Sequence, residues 1–149
     1  MGRAKRLLSF VVAMVGLAIL FSITAGICAA QSPLEFVVPT SGGDPQGITV
    51  GPDGNLWFTE ADGNKIGKIT TSGSTITEYM IPTSGSAPFG IAAGPDGNLW
   101  FTEAQGFKIG KITTSGTVTE YTIPTSQSVP NGIVAGPDGN LWFHRVLHR

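Results

Sequence analysis

Two histidines are the side chains in this chain whose type and spacing most directly suggest metal chemistry. His144 and His148 stand four residues apart, a spacing that on a helix places two ligands on one face. No carboxylate or cysteine accompanies them, and nothing beyond the spacing indicates a helix. We therefore expect no metal site at this end of the chain.

Two glutamates recur at equivalent places and are the next candidates. Glu60 and Glu103 each close a copy of the segment "WFTE". Such carboxylates could line a cavity or contribute to a metal site. Charged residues at strand ends more often lie at the solvent edge or pair with a lysine, here Lys65 and Lys108, and this is the interpretation we adopt.

The segment "PDGN" carries an Asp-x-Asn pair in three places, at 52–55, 95–98 and 137–140. A calcium loop needs several more oxygen ligands at alternating positions, and the sequence does not supply them. Proline followed by Asp, Gly and Asn is typical of a tight turn. We predict three turns and no calcium site.

These candidates sit in an internal repeat. The ten residues "GPDGNLWFTE" at 51–60 return at 94–103, and a third copy reads "GPDGNLWFHR" at 136–145. The step from Trp57 to Trp100 is 43 residues and the step from Trp100 to Trp142 is 42. Fixed periods of this size indicate a repeat architecture. The repeats begin at residues 45, 88 and 130.

One period contains four predicted strands separated by turn residues. The strands are 47–50, 55–60, 65–70 and 75–82, and they are rich in Thr, Ile, Trp, Phe and Tyr. Four strands per 40–45 residues is the pattern of a β-propeller blade. The run "LWF" indicates a sheet covered on both faces. A β-solenoid is the alternative, but its coils are shorter than this period. The predicted fold is all-β, a partial β-propeller of four-stranded antiparallel blades.

The repeat count falls short of a closed ring. Residues 34–39 align with the fourth strand of the repeat and predict a lone outer strand. The third copy departs from the pattern at His144 and predicts an aberrant tail over 144–149. Fewer than three blades result, and we interpret the break as a frameshift or truncated gene model, with a capping segment as the alternative. Unpaired apolar blade faces predict that the isolated chain either self-associates or folds poorly.

Residues 1–30 resemble a leader. Basic residues precede an apolar stretch over about 7–27, and Cys28-Ala29-Ala30 supplies small residues for signal-peptide cleavage. The sequence predicts an apolar N-terminal helix acting as a signal peptide, and export to the periplasm or the outside. A membrane anchor over 7–27, holding the protein at the inner membrane, is the alternative.

The remaining residues, 31–149, form the predicted propeller segment. Three of the nine basic residues lie in the leader, so six Lys and Arg face ten Asp and Glu beyond it. This acidic balance predicts no nucleic-acid partner. The single cysteine, Cys28, lies in the leader, which excludes a disulfide within the rest.

The repeated phrase resembles one family. "P-x-G-I-x-x-G-P-D-G-N-L-W-F-T-E", then "K-I-G-K-I-T" and "T-E-Y-x-I-P-T", is similar to the streptogramin lyases, also called virginiamycin B lyases. These are seven-bladed propellers, and the resemblance covers 34–143. It implies a magnesium-dependent lyase that opens the ester bond of type B streptogramins by elimination, with a histidine as base.

The resemblance also implies where the site would lie. In the family, the axial catalytic side chains, including the histidine, come from the x of "P-x-G", and here these positions hold Gln46, Phe89 and Asn131. Asp44 matches an acid two residues before the family's histidine. None of the three x residues can act as a base near neutral pH. We therefore predict no catalytic residue and no magnesium in this chain, and a small cyclic depsipeptide-like ligand at most. A non-catalytic exported binding module and an inactive gene fragment are the alternatives.

Overall fold

Ten β-strands and no helix make up the part of the chain that the computed structural model describes, residues 34–72 and 75–147. The leader predicted over 1–30 lies outside the described residues. In the described part of the chain, no helix has the length and apolar character needed to cross a membrane. The strands are β1 (Pro45–Val50), β2 (Leu56–Glu60), β3 (Lys65–Ile69), β4 (Ile76–Met80), β5 (Pro88–Ala93), β6 (Leu99–Glu103), β7 (Lys108–Ile112), β8 (Val118–Thr122), β9 (Ser128–Ala135) and β10 (Leu141–Leu147).

The strands form three antiparallel sheets that follow the repeat. The first two sheets have four strands each, in the orders β1-β2-β3-β4 and β5-β6-β7-β8, and the third is the hairpin of β9 and β10. Within each sheet, strands that follow one another in the chain pair with each other, as expected of a meander built from short turns. The four predicted strands per period are confirmed, with boundaries that shift by one or two residues.

Each turn between the first two strands of a sheet is closed by the "PDGN" segment. In the first copy, Asp53 Oδ1 accepts hydrogen bonds from the backbone N–H of Asn55 at 3.3 Å and from the indole N–H of Trp57 at 3.0 Å. Gly54 has φ of 73°, a conformation that glycine adopts without strain. The same pattern holds in the other two copies, so the predicted turns are present and their carboxylates are engaged within them.

The core lies between successive sheets. Trp57 and Ile66 of the first sheet pack in one buried cluster with Ile91, Leu99 and Phe101 of the second. Trp57 is fully buried, whereas Trp142, at the equivalent position of the third copy, is 59% exposed. Large apolar side chains contribute about 1.5–3 kcal/mol each when buried, so contact between neighbouring sheets is the main source of stability.

At the start of the repeat the structure differs from the sequence prediction. The sequence predicts a strand over 34–39, but residues 34–38 lie in no strand. A fourth strand pairs with the third strand of its own sheet, and in the described residues no such strand lies beside 34–38. The last strand does not end at His144, where the sequence departs from the repeat pattern. β10 continues to Leu147, where Arg145 pairs with Pro130 and Val146 with Val129. His148, the second of the two histidines considered as metal ligands, is outside the described residues.

Candidate functional site

A β-bulge opens each sheet at the same place. In β1, Pro45 pairs with Glu60 and Ile48 pairs with Phe58, so the register shifts across Gln46 and Gly47. The same shift occurs in β5 and in β9. Bulges bend a strand and redirect its side chains, and they are frequent beside active sites. The x residue of each "P-x-G" segment therefore leaves the regular alternation of the strand.

A threonine hydroxyl connects each bulge to the next sheet. Thr59 Oγ1 accepts a hydrogen bond from the backbone N–H of Gly47 at 2.9 Å and donates one to the carbonyl of Phe89 at 2.7 Å. Thr102 does the same with Gly90 at 2.9 Å and Asn131 at 2.5 Å. The threonines therefore fix the backbones of the x residues relative to one another.

The glycine of "P-x-G" permits this close approach. A Cβ added to Gly47 would lie 2.6 Å from the carbonyl oxygen of Phe89, and one added to Gly90 would lie 2.6 Å from that of Asn131. Any side chain there would push the sheets apart. The third copy has His144 where the first two have threonine, and the histidine ring lies against Gly132.

The three bulges face one cavity of about 650 Å³. Gln46, Phe89 and Asn131 line it, and so does Asp44, whose Oδ2 accepts a hydrogen bond from Gln46 Nε2 at 2.7 Å. The structure thus brings together all four residues that the sequence analysis assigned to the axial site. Their part in binding stays a prediction.

Sequence reasoning missed the second half of the cavity wall. Asp62, Gln105 and Phe107 also line it, from the turns between the second and third strands of each sheet. The signal was present in the sequence. Residues 51–73 and 94–116 are identical except at two positions, 62/105 and 64/107. The cavity has the size and the mixture of aromatic and amide groups typical of a small-molecule site.

Two backbone contacts hold the halves of the wall together. The N–H of Ala61 donates to the carbonyl of Asp44 at 3.0 Å, and the N–H of Ala104 donates to the carbonyl of Ala87 at 3.1 Å. Asp44 and Ala87 reach this position with φ of 50° and 47°. Non-glycine residues rarely adopt such angles, so the surrounding structure must hold them there.

The predicted position of the two repeated glutamates is wrong. Glu60 and Glu103 are fully buried, and none of their carboxylate oxygens has a hydrogen-bond partner. Lys65 pairs instead with Glu78, at 2.6 Å from Nζ to Oε2. Lys108 pairs with Glu120 at 3.1 Å. The loop before β1 and the turn after β2 cover Glu60, whose Oε2 lies against Gly43 and Gly63, and the turn after β6 covers Glu103, whose Oε2 lies against Gly106. A single strand sequence does not reveal this covering.

Burial controls the protonation of these glutamates. Burial, together with the nearby carboxylate of Glu120 and against the opposing effect of Lys108, raises the pKa of Glu103 to about 8. Burial and the carboxylate of Glu78 raise the pKa of Glu60 in the same way. Burial also acts to raise the pKa of Glu78, but hydrogen bonds from Lys65 and Thr40 outweigh it and lower that pKa. Near neutral pH, Glu103 therefore keeps its proton, while Glu120, whose pKa is lowered, is ionised.

The described side chains do not form a magnesium site. Within residues 34–72 and 75–147, no group of three or more His, Cys, Asp or Glu side chains is arranged to hold a metal ion. Asp44 and Asp62 are the carboxylates on the described cavity wall, and Asp44 is already engaged by Gln46. His144 lies against Gly132 and Trp142 on the last hairpin and not in this cavity.

Four-stranded antiparallel sheets that stack around a shared cavity define part of a β-propeller. The family comparison agrees, since the model of the Virginiamycin B lyase family matches residues 25–148. The chain belongs to this family.

Comparisons with individual relatives also support membership of this family. A virginiamycin B lyase of Bacillus licheniformis is 53% identical over 39 residues, 26% of this chain and 13% of the relative. The virginiamycin B lyase structure from Staphylococcus aureus is 51% identical with a TM-score of 0.70, over 72% of this chain and 36% of that one. A streptogramin B lyase structure is 36% identical with a TM-score of 0.68, over 81% of this chain and 47% of that one. The chain spans less than half the length of these relatives.

Proposed function

We propose that this chain is an exported member of the family that binds a cyclic depsipeptide of the streptogramin type in its axial cavity and does not cleave it. One observation carries the proposal. The three bulge positions that face the cavity hold Gln46, Phe89 and Asn131, which are suited to contact a ligand but not to remove a proton from it.

The choice of ligand is supported by a relative. A catalytically inactive form of the Staphylococcus aureus virginiamycin B lyase has a structure with quinupristin, and it matches this chain at 51% identity. An amide-rich ring with aromatic substituents suits a wall that combines Gln46, Gln105 and Asn131 with Phe89 and Phe107. Amide side chains offer both donors and acceptors to peptide groups.

The test separates binding from cleavage. The purified chain is titrated with quinupristin by calorimetry, and a parallel sample with quinupristin and Mg²⁺ is analysed by mass spectrometry. We expect saturable binding and no ring-opened product. Asn131→Ala should weaken binding, while Met80→Ala, on the exposed outer strand β4, serves as the matched control. Ring-opened product above the no-protein blank would overturn the non-catalytic part, and absence of binding would overturn the whole proposal.

Self-association is a second candidate property, favoured by the exposure of the last hairpin. Val134, Trp142 and Val146 are each more than half exposed on β9 and β10. Trp57, the equivalent of Trp142 in the first sheet, packs in a buried cluster with the second sheet, and this supports contact between the exposed hairpin and another sheet.

A further inference from the structure

We propose that Phe107 is a specificity-determining residue of the axial cavity, which selects ligands carrying a planar aromatic group beside amide or ester carbonyls. This inference rests on the proposed function, because it assumes that the cavity binds a ligand. Its evidence comes from a comparison of the first two repeats within the chain.

The longest shared stretch of the two repeats differs only at the turn that faces the cavity. Over residues 51–73 and 94–116 the sequences match at every position except two, where Asp62 becomes Gln105 and Asn64 becomes Phe107. Asp62, Gln105 and Phe107 all line the cavity. The framework is thus kept constant while the wall of the cavity varies.

Asn64 shows how a residue at this turn position can stabilise the fold. It has φ of 52°, which asparagine tolerates better than most residues. Its Oδ1 accepts hydrogen bonds from the backbone N–H and the hydroxyl of Ser86, at 2.8 and 2.9 Å. Its Nδ2 donates to the carbonyl of Ile81 at 3.1 Å. One side chain therefore ties the turn of the first sheet to the start of the second.

Phe107 provides neither the tolerance of a positive φ nor the side-chain hydrogen bonds that Asn64 provides. It has φ of 56°, where a bulky side chain is strained, and its ring can neither accept nor donate the hydrogen bonds that Asn64 makes. The equivalent of Ser86 is Ser128, and its buried hydroxyl has no hydrogen-bond partner. The fold would be better served by asparagine here, so the phenylalanine is explained by what it does in the cavity.

The strain is concentrated around the cavity. Five non-glycine residues in the described parts of the chain have positive φ, and four of them, all but Asn64, line the cavity. Phe107 and Phe89 are 40% and 36% exposed there, so their rings are available to a ligand. Two partly exposed rings near the amides of Gln105 and Asn131 would stack against an aromatic group while the amides bind neighbouring carbonyls.

The experiment uses the full chain, quinupristin as the probe, and two variants. Phe107→Asn restores the residue of the first repeat, and Phe107→Tyr keeps both the ring and the strained backbone. We expect Phe107→Asn to bind quinupristin about tenfold more weakly or worse, the loss expected when one aromatic contact is removed. The same variant should melt about 4 °C higher or more, because strain is relieved and Ser128 gains a partner. Phe107→Tyr should match the parent chain in both measurements.

The outcomes distinguish a failure of the role proposed for Phe107 from a failure of the proposed function. If the parent chain binds quinupristin and Phe107→Asn binds it equally well, the role proposed for Phe107 is wrong, whereas the proposed function stands. If the parent chain does not bind, the proposed function fails and the inference fails with it. If Phe107→Asn loses binding but melts lower than the parent, a folding defect explains the loss and the inference is overturned.

Discussion

The hydroxyl of Thr59 donates a 2.7 Å hydrogen bond to the carbonyl of Phe89, a residue of the next sheet that lines the cavity. The same oxygen accepts the N–H of Gly47 in its own sheet. A single side chain therefore couples the packing of two sheets to the shape of the site. The third copy has His144 in place of this threonine.

Replacing Thr59 by valine should destabilise the chain by about 1 kcal/mol, because the shape is kept while the N–H of Gly47 and the carbonyl of Phe89 lose a partly buried hydrogen-bond partner. Urea unfolding followed by tryptophan fluorescence measures the change. Thr59→Ser keeps the hydroxyl and is the matched control. Equal stability of the valine and serine variants would show that the connection between the sheets does not depend on this hydrogen bond.

Stability should fall as pH rises, because of Glu103. Its pKa is raised from 4.5 in the unfolded chain to about 8 in the folded one, so the folded state keeps a proton that the unfolded state releases. The contribution is full below pH 4.5 and is lost as pH rises through about 8. Glu60 acts in the same direction, while Glu78 and Glu120, whose pKa values are lowered, lose their contribution only in acid.

Glu103→Gln should flatten this decline, since glutamine keeps the shape and has no proton to lose. Melting temperatures between pH 5 and pH 9 provide the measurement, and Glu35→Gln, at an exposed position, is the control. A residual slope from Glu60 is expected in the variant. A decline as steep as that of the parent chain would contradict the assignment of a neutral Glu103.

The repeat made most of the fold predictable, including sheets covered on both faces, but it did not show that the repeated glutamates are buried. "LWF" and "KIGKI" carry apolar and β-branched residues in runs that only strands accommodate, and "PDGN" fixes the turns, so the strands follow from local chemistry. Glu60 was misplaced because its burial comes from packing that its own strand does not encode. Residues 34–39 were misplaced because a strand needs a neighbour, which sequence similarity to residues 77–82 does not provide.

The site was predictable to the extent that the family motif marks it. The motif located Gln46, Phe89 and Asn131, since each follows the proline of a bulge. It gave no information on Phe107, which belongs to a turn of the neighbouring strand pair. Only the three-dimensional arrangement shows that both segments meet at one cavity.

Ser128 and position 107 should be energetically coupled. In the parent chain Ser128→Ala should be neutral or slightly stabilising, because the buried hydroxyl has no partner. In the Phe107→Asn background the same change should cost about 1 kcal/mol, because the hydroxyl would then donate to the new amide. A double-mutant cycle by urea unfolding measures the difference. Identical effects in the two backgrounds would show that no such hydrogen bond forms.

Association of the chain should depend on the last hairpin. Trp142 is 59% exposed, and a lysine there would place a charge in the apolar surface. We expect sedimentation velocity to show oligomers for the parent chain and a shift toward monomer for Trp142→Lys. Met80→Lys, at a position 63% exposed on β4, should leave the distribution unchanged. A parent chain that is monomeric at micromolar concentration would contradict this prediction.

Hydrogen exchange with and without quinupristin tests most directly whether the axial cavity is the binding site. The bulges lie at one end of the strands, and the "PDGN" turns lie at the other. We expect quinupristin to slow exchange in segments 44–47, 87–90 and 104–108 and to leave the turns at 52–55 and 95–98 unchanged. Protection confined to those turns or to the last hairpin, or no protection at saturating quinupristin, would contradict the account.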